Sequence, residues 1–115
     1  MPQTTEVPVF NPDQLRNVCL DDTELMRELI TSLIEDATAQ ISALRRAVDE
    51  ADGAKCARLA HYVKGACANV GAASMAALMK TIERSAAAGD FDSCRASLSL
   101  MSGELAKFSS ISASI

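Results

Sequence analysis

The chain holds one histidine, His61, within "LAHYVKGACANVG", Leu59 to Gly71. A solvated imidazole is largely neutral at cellular pH, so its ring nitrogen is a competent nucleophile. One helical turn further on stands Lys64, whose ammonium suits a negatively charged group carried on the ring. Gly65 comes next, among good helix formers, where glycine costs about 1 kcal/mol relative to alanine. Glycine at this position strips side-chain bulk from the turn above the ring. Such clearance fits a nucleophile offered to another protein better than one enclosed in a small-molecule pocket.

Self-contained catalysis has little to work with elsewhere in the chain. There is no glycine-rich phosphate loop, no carboxylate cluster to hold magnesium, and no Ser/His/Asp or Cys/His set. ATP-dependent kinase activity of its own is therefore not expected. Cys19, Cys56, Cys67 and Cys94 are widely spaced and form no CxxC pair. With a single histidine they do not suggest a metal site, and reduced thiols filling core space are the expectation. No cofactor is implied. A net charge of −4 argues against nucleic acid, which needs a basic face. The apolar runs are too short for a membrane span, and "MPQTTEVPVF" lacks the regions of a signal peptide, so a cytoplasmic location is expected.

The elements that must position His61 follow from the apolar spacing. At 115 residues, 49% apolar but only 3% aromatic, the chain suits one domain of packed helices. Residues 1–9 read as a flexible arm, and residues 10–112 as the folded domain. Asn11 caps a short helix, with Pro12 at its first position, through about Val18. "DDTE", Asp21 to Glu24, has capping-box spacing and opens a long helix. Met26, Leu29, Ile30, Leu33, Ala37, Ile41, Leu44 and Val48 form its stripe. Asp52 caps a second long helix, over about 53–69, that ends at a left-handed Gly71. A third, over about 73–88, turns Met75, Leu78, Met79, Ile82 and Ala86 inward and stops at Gly89. Asp90 caps the fourth, whose seam is Phe91, Cys94, Leu98, Met101, Leu105 and Phe108. Short connections predict an all-α, antiparallel up-down-up-down four-helix bundle with a short extra N-terminal helix.

At about 100° per residue, the inward face of the His61 helix reads as Cys56, Leu59, Val63, Ala66 and Val70, with Cys67 at the margin. His61 falls almost opposite. Its outer-face neighbours are Ala57, Arg58, Lys64, Gly65 and Ala68, a surface of small residues with a few positive charges. These are the candidate contacts for a docking partner. Met79 reads first as core, but at the rim it is a further candidate contact. Tyr62 reads as half-buried packing.

"AHYVKGACANVGA" resembles the signature of histidine-containing phosphotransfer (HPt) domains, roughly A-H-x-[LIV]-K-G-[SA]-x-x-[NS]-[LIV]-G. "VFNPDQL" resembles the family's opening, and "ALMKTIERSAAAGDF" its third bundle helix and the turn after it. The resemblance implies a phosphorelay intermediate, with His61 as phosphoacceptor between the receiver-domain aspartates of a hybrid histidine kinase and a downstream response regulator. It implies that Lys64 assists the phosphoryl group and that Gly65 gives the receiver room. It also places Glu83 where the family often has a Gln or Glu that hydrogen-bonds the ring. The competing role for Glu83 is a surface ion pair with Lys64 or Lys80. Magnesium is expected on the receiver, and the chain itself is expected to be a monomer.

A non-catalytic HPt-like docking module is the alternative reading, disfavoured because histidine, lysine and glycine all stand in register. A histidine-kinase dimerisation domain would place an acidic residue directly after the histidine and a proline four further on. Tyr62 and Ala66 stand there instead. A hemerythrin- or ferritin-like metal bundle needs several inward histidines and carboxylates.

Overall fold

Asn11 accepts a hydrogen bond from the Asp13 N–H on its side chain, and Pro12 follows with no amide to satisfy, so the chain turns helical at once. The computed structural model describes residues 7–115, and among them all regular structure is helical. The helices are α1 (Pro12–Val18), α2 (Thr23–Asp49), α3 (Gly53–Val70), α4 (Ala73–Ala87) and α5 (Phe91–Ser112). Asp22, Asp52 and Asp90 each cap the next helix by accepting a backbone N–H three residues on. The cap falls one residue later than expected, on Asp22, which puts Leu25 at the third helical position, so the capping box expected of Asp21 and Glu24 does not form. Asp21 instead takes a left-handed conformation with Leu20, at φ 64° and 53°, which closes the corner between α1 and α2. Gly71 ends α3 at φ 89°, as its position in the sequence predicts.

Each of α2 to α5 packs on two neighbours, in the pairs α2–α3, α3–α4, α4–α5 and α2–α5, and α1 lies against α2 and α3. The core is lined by Leu44, Val48, Val63, Met75, Ile82, Met101 and Phe108, all buried. Burying each such side chain is worth about 1.5–3 kcal/mol. Phe10 meets Phe108 edge-on at 5.3 Å between centroids, which seals the end covered by α1.

The arm expected over residues 1–9 lies outside the described residues up to Glu6. Pro8 accepts a hydrogen bond from the Ser74 N–H at 2.9 Å, and Val9 packs against the core. Pro8 thereby satisfies an amide at the start of α4, where Ala72 supplies no side-chain cap. The four cysteines are free and buried, as expected of core thiols. Burial pushes Cys67 up to about 12, so its thiol is protonated and inert at neutral pH.

The inward stripe of α3 differs from the sequence reading. Its buried residues are Cys56, Ala60, Val63, Cys67 and Val70, while Leu59 and Ala66 are only partly buried. The stripe is thus rotated by about 40° toward the small residues. Their size explains the shift: α3 makes its most extensive contact with α4, and small side chains let the two helices close up. At Gly53 the approach is so tight that a Cβ would lie 2.8 Å from the Ala86 carbonyl oxygen.

Candidate functional site

The rotation of α3 decides where its outer residues point. His61 stands about 140° from the centre of the observed stripe and Lys64 about 80°, both on the α4 side. Tyr62 falls on the opposite side, toward α2. His61 keeps 68% of its side chain exposed, on open surface.

Glu83 of α4 meets both α3 side chains. One carboxylate oxygen, Oε2, lies 3.0 Å from His61 Nδ1, and the other, Oε1, accepts from Lys64 Nζ at 2.7 Å. The Lys64 hydrogen bond is the main reason the Glu83 carboxyl is held below its usual range, with the His61 contact adding to it against the opposing effect of partial burial. An ionised carboxylate only accepts hydrogen bonds, so Nδ1 must carry the ring proton. The neutral ring then has its lone pair on Nε2. Both roles weighed for Glu83 in the sequence are present together: ring contact and ion pair with Lys64.

Gly65 is exposed, and a Cβ built there would meet nothing within 4 Å. Among the described residues no packing requires glycine at this point of the helix. Arg58 and Ala68 are exposed on the same surface, and Ala57 is partly buried against the core. Lys80 and Arg84 of α4 are exposed nearby in sequence to Glu83.

One assignment changes. Met79 is fully buried, at the centre of the α4 stripe with Met75, Ile82 and Ala86, and no partner could reach it. Tyr62 is 54% exposed, about half-buried as expected, and its hydroxyl donates to Asp36 of α2 at 2.8 Å. Asp36 escaped notice in the sequence because nothing in one helix's periodicity reveals a partner on another.

Residues 28–110 match the family described as Hpt domain. The chain belongs to the Hpt domain family. The matched span contains His61, Lys64, Gly65 and Glu83, and the family's role is phosphotransfer in two-component signalling, in company with response-regulator receiver domains. The fold is similar to the crystal structure of histidine-containing phosphotransfer protein B (HptB) from Pseudomonas aeruginosa PAO1, with a TM-score of 0.86 over 95% of each chain. Sequence identity to that Hpt protein is 22%, so the likeness speaks to the fold alone. No curated protein matches the chain. No helix among the described residues is long and apolar enough to cross a membrane.

Proposed function

We propose that this Hpt domain is a phosphorelay intermediate that takes a phosphoryl group from one receiver aspartate onto His61 and delivers it to another. The observation that carries the proposal is the His61–Glu83 contact on open surface. With Nδ1 donating to Glu83, Nε2 is the nucleophile, on a ring that a folded partner can reach. The Nε2 lone pair attacks phosphorus of the acyl phosphate, the P–O bond to the aspartate breaks, and its electron pair leaves with the carboxylate. Delivery to the second receiver is the same step reversed. Lys64, partly buried one turn away, offsets the charge of the transferring group. Gly65, Arg58, Ala57 and Ala68 form the face against which the receiver docks.

The proposal includes an up-down-up-down four-helix bundle as the scaffold, supported by the closed set of neighbour pairs among α2 to α5. It further includes a monomeric, cytoplasmic protein without a cofactor of its own, magnesium being held by the receiver.

The test is phosphate transfer from phosphorylated receivers to the wild-type chain and to His61→Gln. The wild type should gain an acid-labile, base-stable phosphate, and the variant none, with unchanged circular dichroism. Continued acceptance by His61→Gln would show the assignment to be wrong.

A further inference from the structure

His61 is flanked by two cross-helix pairs that differ in charge. On the α4 side Lys64 neutralises Glu83, and Lys80 and Arg84 add further exposed cations. On the α2 side Tyr62 donates its hydroxyl to Asp36 at 2.8 Å, a contact that phosphoryl transfer itself does not use. That hydrogen bond, with the charge behind it, pushes the Tyr62 hydroxyl above its ordinary value, so it stays a donor. A hydroxyl satisfies one lone pair of a carboxylate but supplies no opposite charge. Among the described residues Asp36 has no ion-pair partner. Its neighbours one turn away on α2 are Ser32, Leu33, Ala39 and Gln40, none of them charged.

Asp36 also lines a groove of about 290 Å³ between α2 and α3, with Leu29, Leu33, Ala66, Asn69 and Val70. It alone is charged among the lining residues. Arg58, Tyr62 and Ala66 occupy successive turns of one α3 ridge, so Tyr62 separates Arg58 from the groove. Ala66 follows Gly65, which makes the groove continuous with the face proposed to meet a receiver. Apolar walls with a single fixed anion suit a side chain that has an aliphatic stem and a cationic head.

We propose that Asp36, pinned by Tyr62, selects receiver domains that bring a lysine or arginine into the α2–α3 groove. This rests on the reading of the chain as a partner of receivers and adds which receivers it takes. The acyl phosphate of a receiver is negative, so it is drawn to the Lys64 side and repelled by Asp36. A basic side chain elsewhere on the receiver is drawn the opposite way. The two attractions together fix the receiver's orientation, and a receiver with a neutral or acidic residue at that edge loses one of them.

Asp36→Asn removes the charge but keeps an amide oxygen to accept from Tyr62, so the link between α2 and α3 survives. Asp36→Lys reverses the charge. The full chain and both variants are titrated, by biolayer interferometry with magnesium present, against the receiver domains encoded in the same genome. Receivers that bind the wild type should bind Asp36→Asn about threefold more weakly. They should bind Asp36→Lys more weakly by about tenfold or more, and high salt should shrink both differences. For the tightest-binding receiver, changing one exposed lysine or arginine to glutamate should restore binding to Asp36→Lys and weaken binding to the wild type. Unchanged affinities in both variants would overturn the proposal. So would losses that are equal at low and high salt, the mark of a damaged fold, or the lack of any rescuing receiver residue. Binding and transfer keep this inference apart from the relay on which it rests. Receivers that bind through Asp36 but pass no phosphate to His61 would sink the relay alone, and transfer indifferent to Asp36 would sink the selection alone. A chain that binds no receiver would sink both.

Discussion

Lys64 Nζ lies 2.7 Å from Glu83 Oε1, an ion pair that joins α3 to α4 one turn beyond His61. Both side chains are about two-thirds shielded, at 30% and 29% exposure, so the pair is less screened than a surface bridge. It sets the Glu83 carboxyl below its ordinary value of 4.5.

The pH dependence of stability follows from that direction. A carboxyl lowered in the folded state adds stability that is present above its unfolded value and lost as pH falls through it and below. Glu104, lowered by Ser74 and Lys107, contributes a second such slope. Glu83→Gln should therefore flatten the acid limb of the stability curve without abolishing it. Urea denaturation at about pH 7 and about pH 3 measures this. A variant that loses as much stability as the wild type between the two would contradict it.

Gly65 and Gly53 belong to the same helix, and alanine should act on them with opposite signs. At Gly65 an added methyl meets open space, so Gly65→Ala should stabilise by about 0.5–1 kcal/mol. At Gly53 the methyl would meet the Ala86 carbonyl oxygen at 2.8 Å, backbone that cannot swing away. Gly53→Ala should destabilise by about 1–3 kcal/mol as α3 and α4 are pushed apart. Denaturant midpoints decide both.

The clearance at Gly65 has a second, functional consequence. Gly65→Gln places a long side chain one turn above the ring, where the fold itself offers no obstruction. Transfer from a phosphorylated receiver should slow by about tenfold or more, because a misplacement of about 1 Å in the approach already costs heavily. Stability should stay equal to wild type or rise. Rapid-quench transfer rates check it, and an unchanged rate would remove the reason for glycine at this position.

Much of this was legible in the sequence because caps and stripes are local signals. Asn11, Asp52 and Asp90 announce their helices, and the α2 spacing gives its buried face almost residue for residue. The outward direction of His61 was legible for the same reason. What misled was residue size. In α3, Leu59 outweighs Ala60 on any hydropathy pattern, yet Ala60 and Cys67 are buried because their small side chains admit α4. Tandem aspartates hid the true cap of α2, since spacing alone suits Asp21 with Glu24 while the turn geometry selects Asp22. The Tyr62–Asp36 bond joins residues of two helices, which periodicity within either one cannot disclose.

The contrast between Met79 and Arg58 tests the separation of scaffold from proposed docking face. Met79 is fully buried, so Met79→Ala removes core contacts and leaves a cavity, costing about 2–5 kcal/mol. Its transfer rate per folded molecule should match the wild type, because the side chain never reaches the surface. Arg58 is exposed one turn before His61, so Arg58→Glu should change stability by less than about 0.5 kcal/mol. It does, however, reverse a charge on the face proposed to meet a receiver, and association should slow severalfold, with the difference shrinking as salt screens it. Transfer rates measured at low and high ionic strength, alongside urea unfolding of both variants, test the division. A Met79→Ala protein that folds but transfers slowly would return that residue to the interface, and a salt-independent Arg58→Glu would remove Arg58 from it.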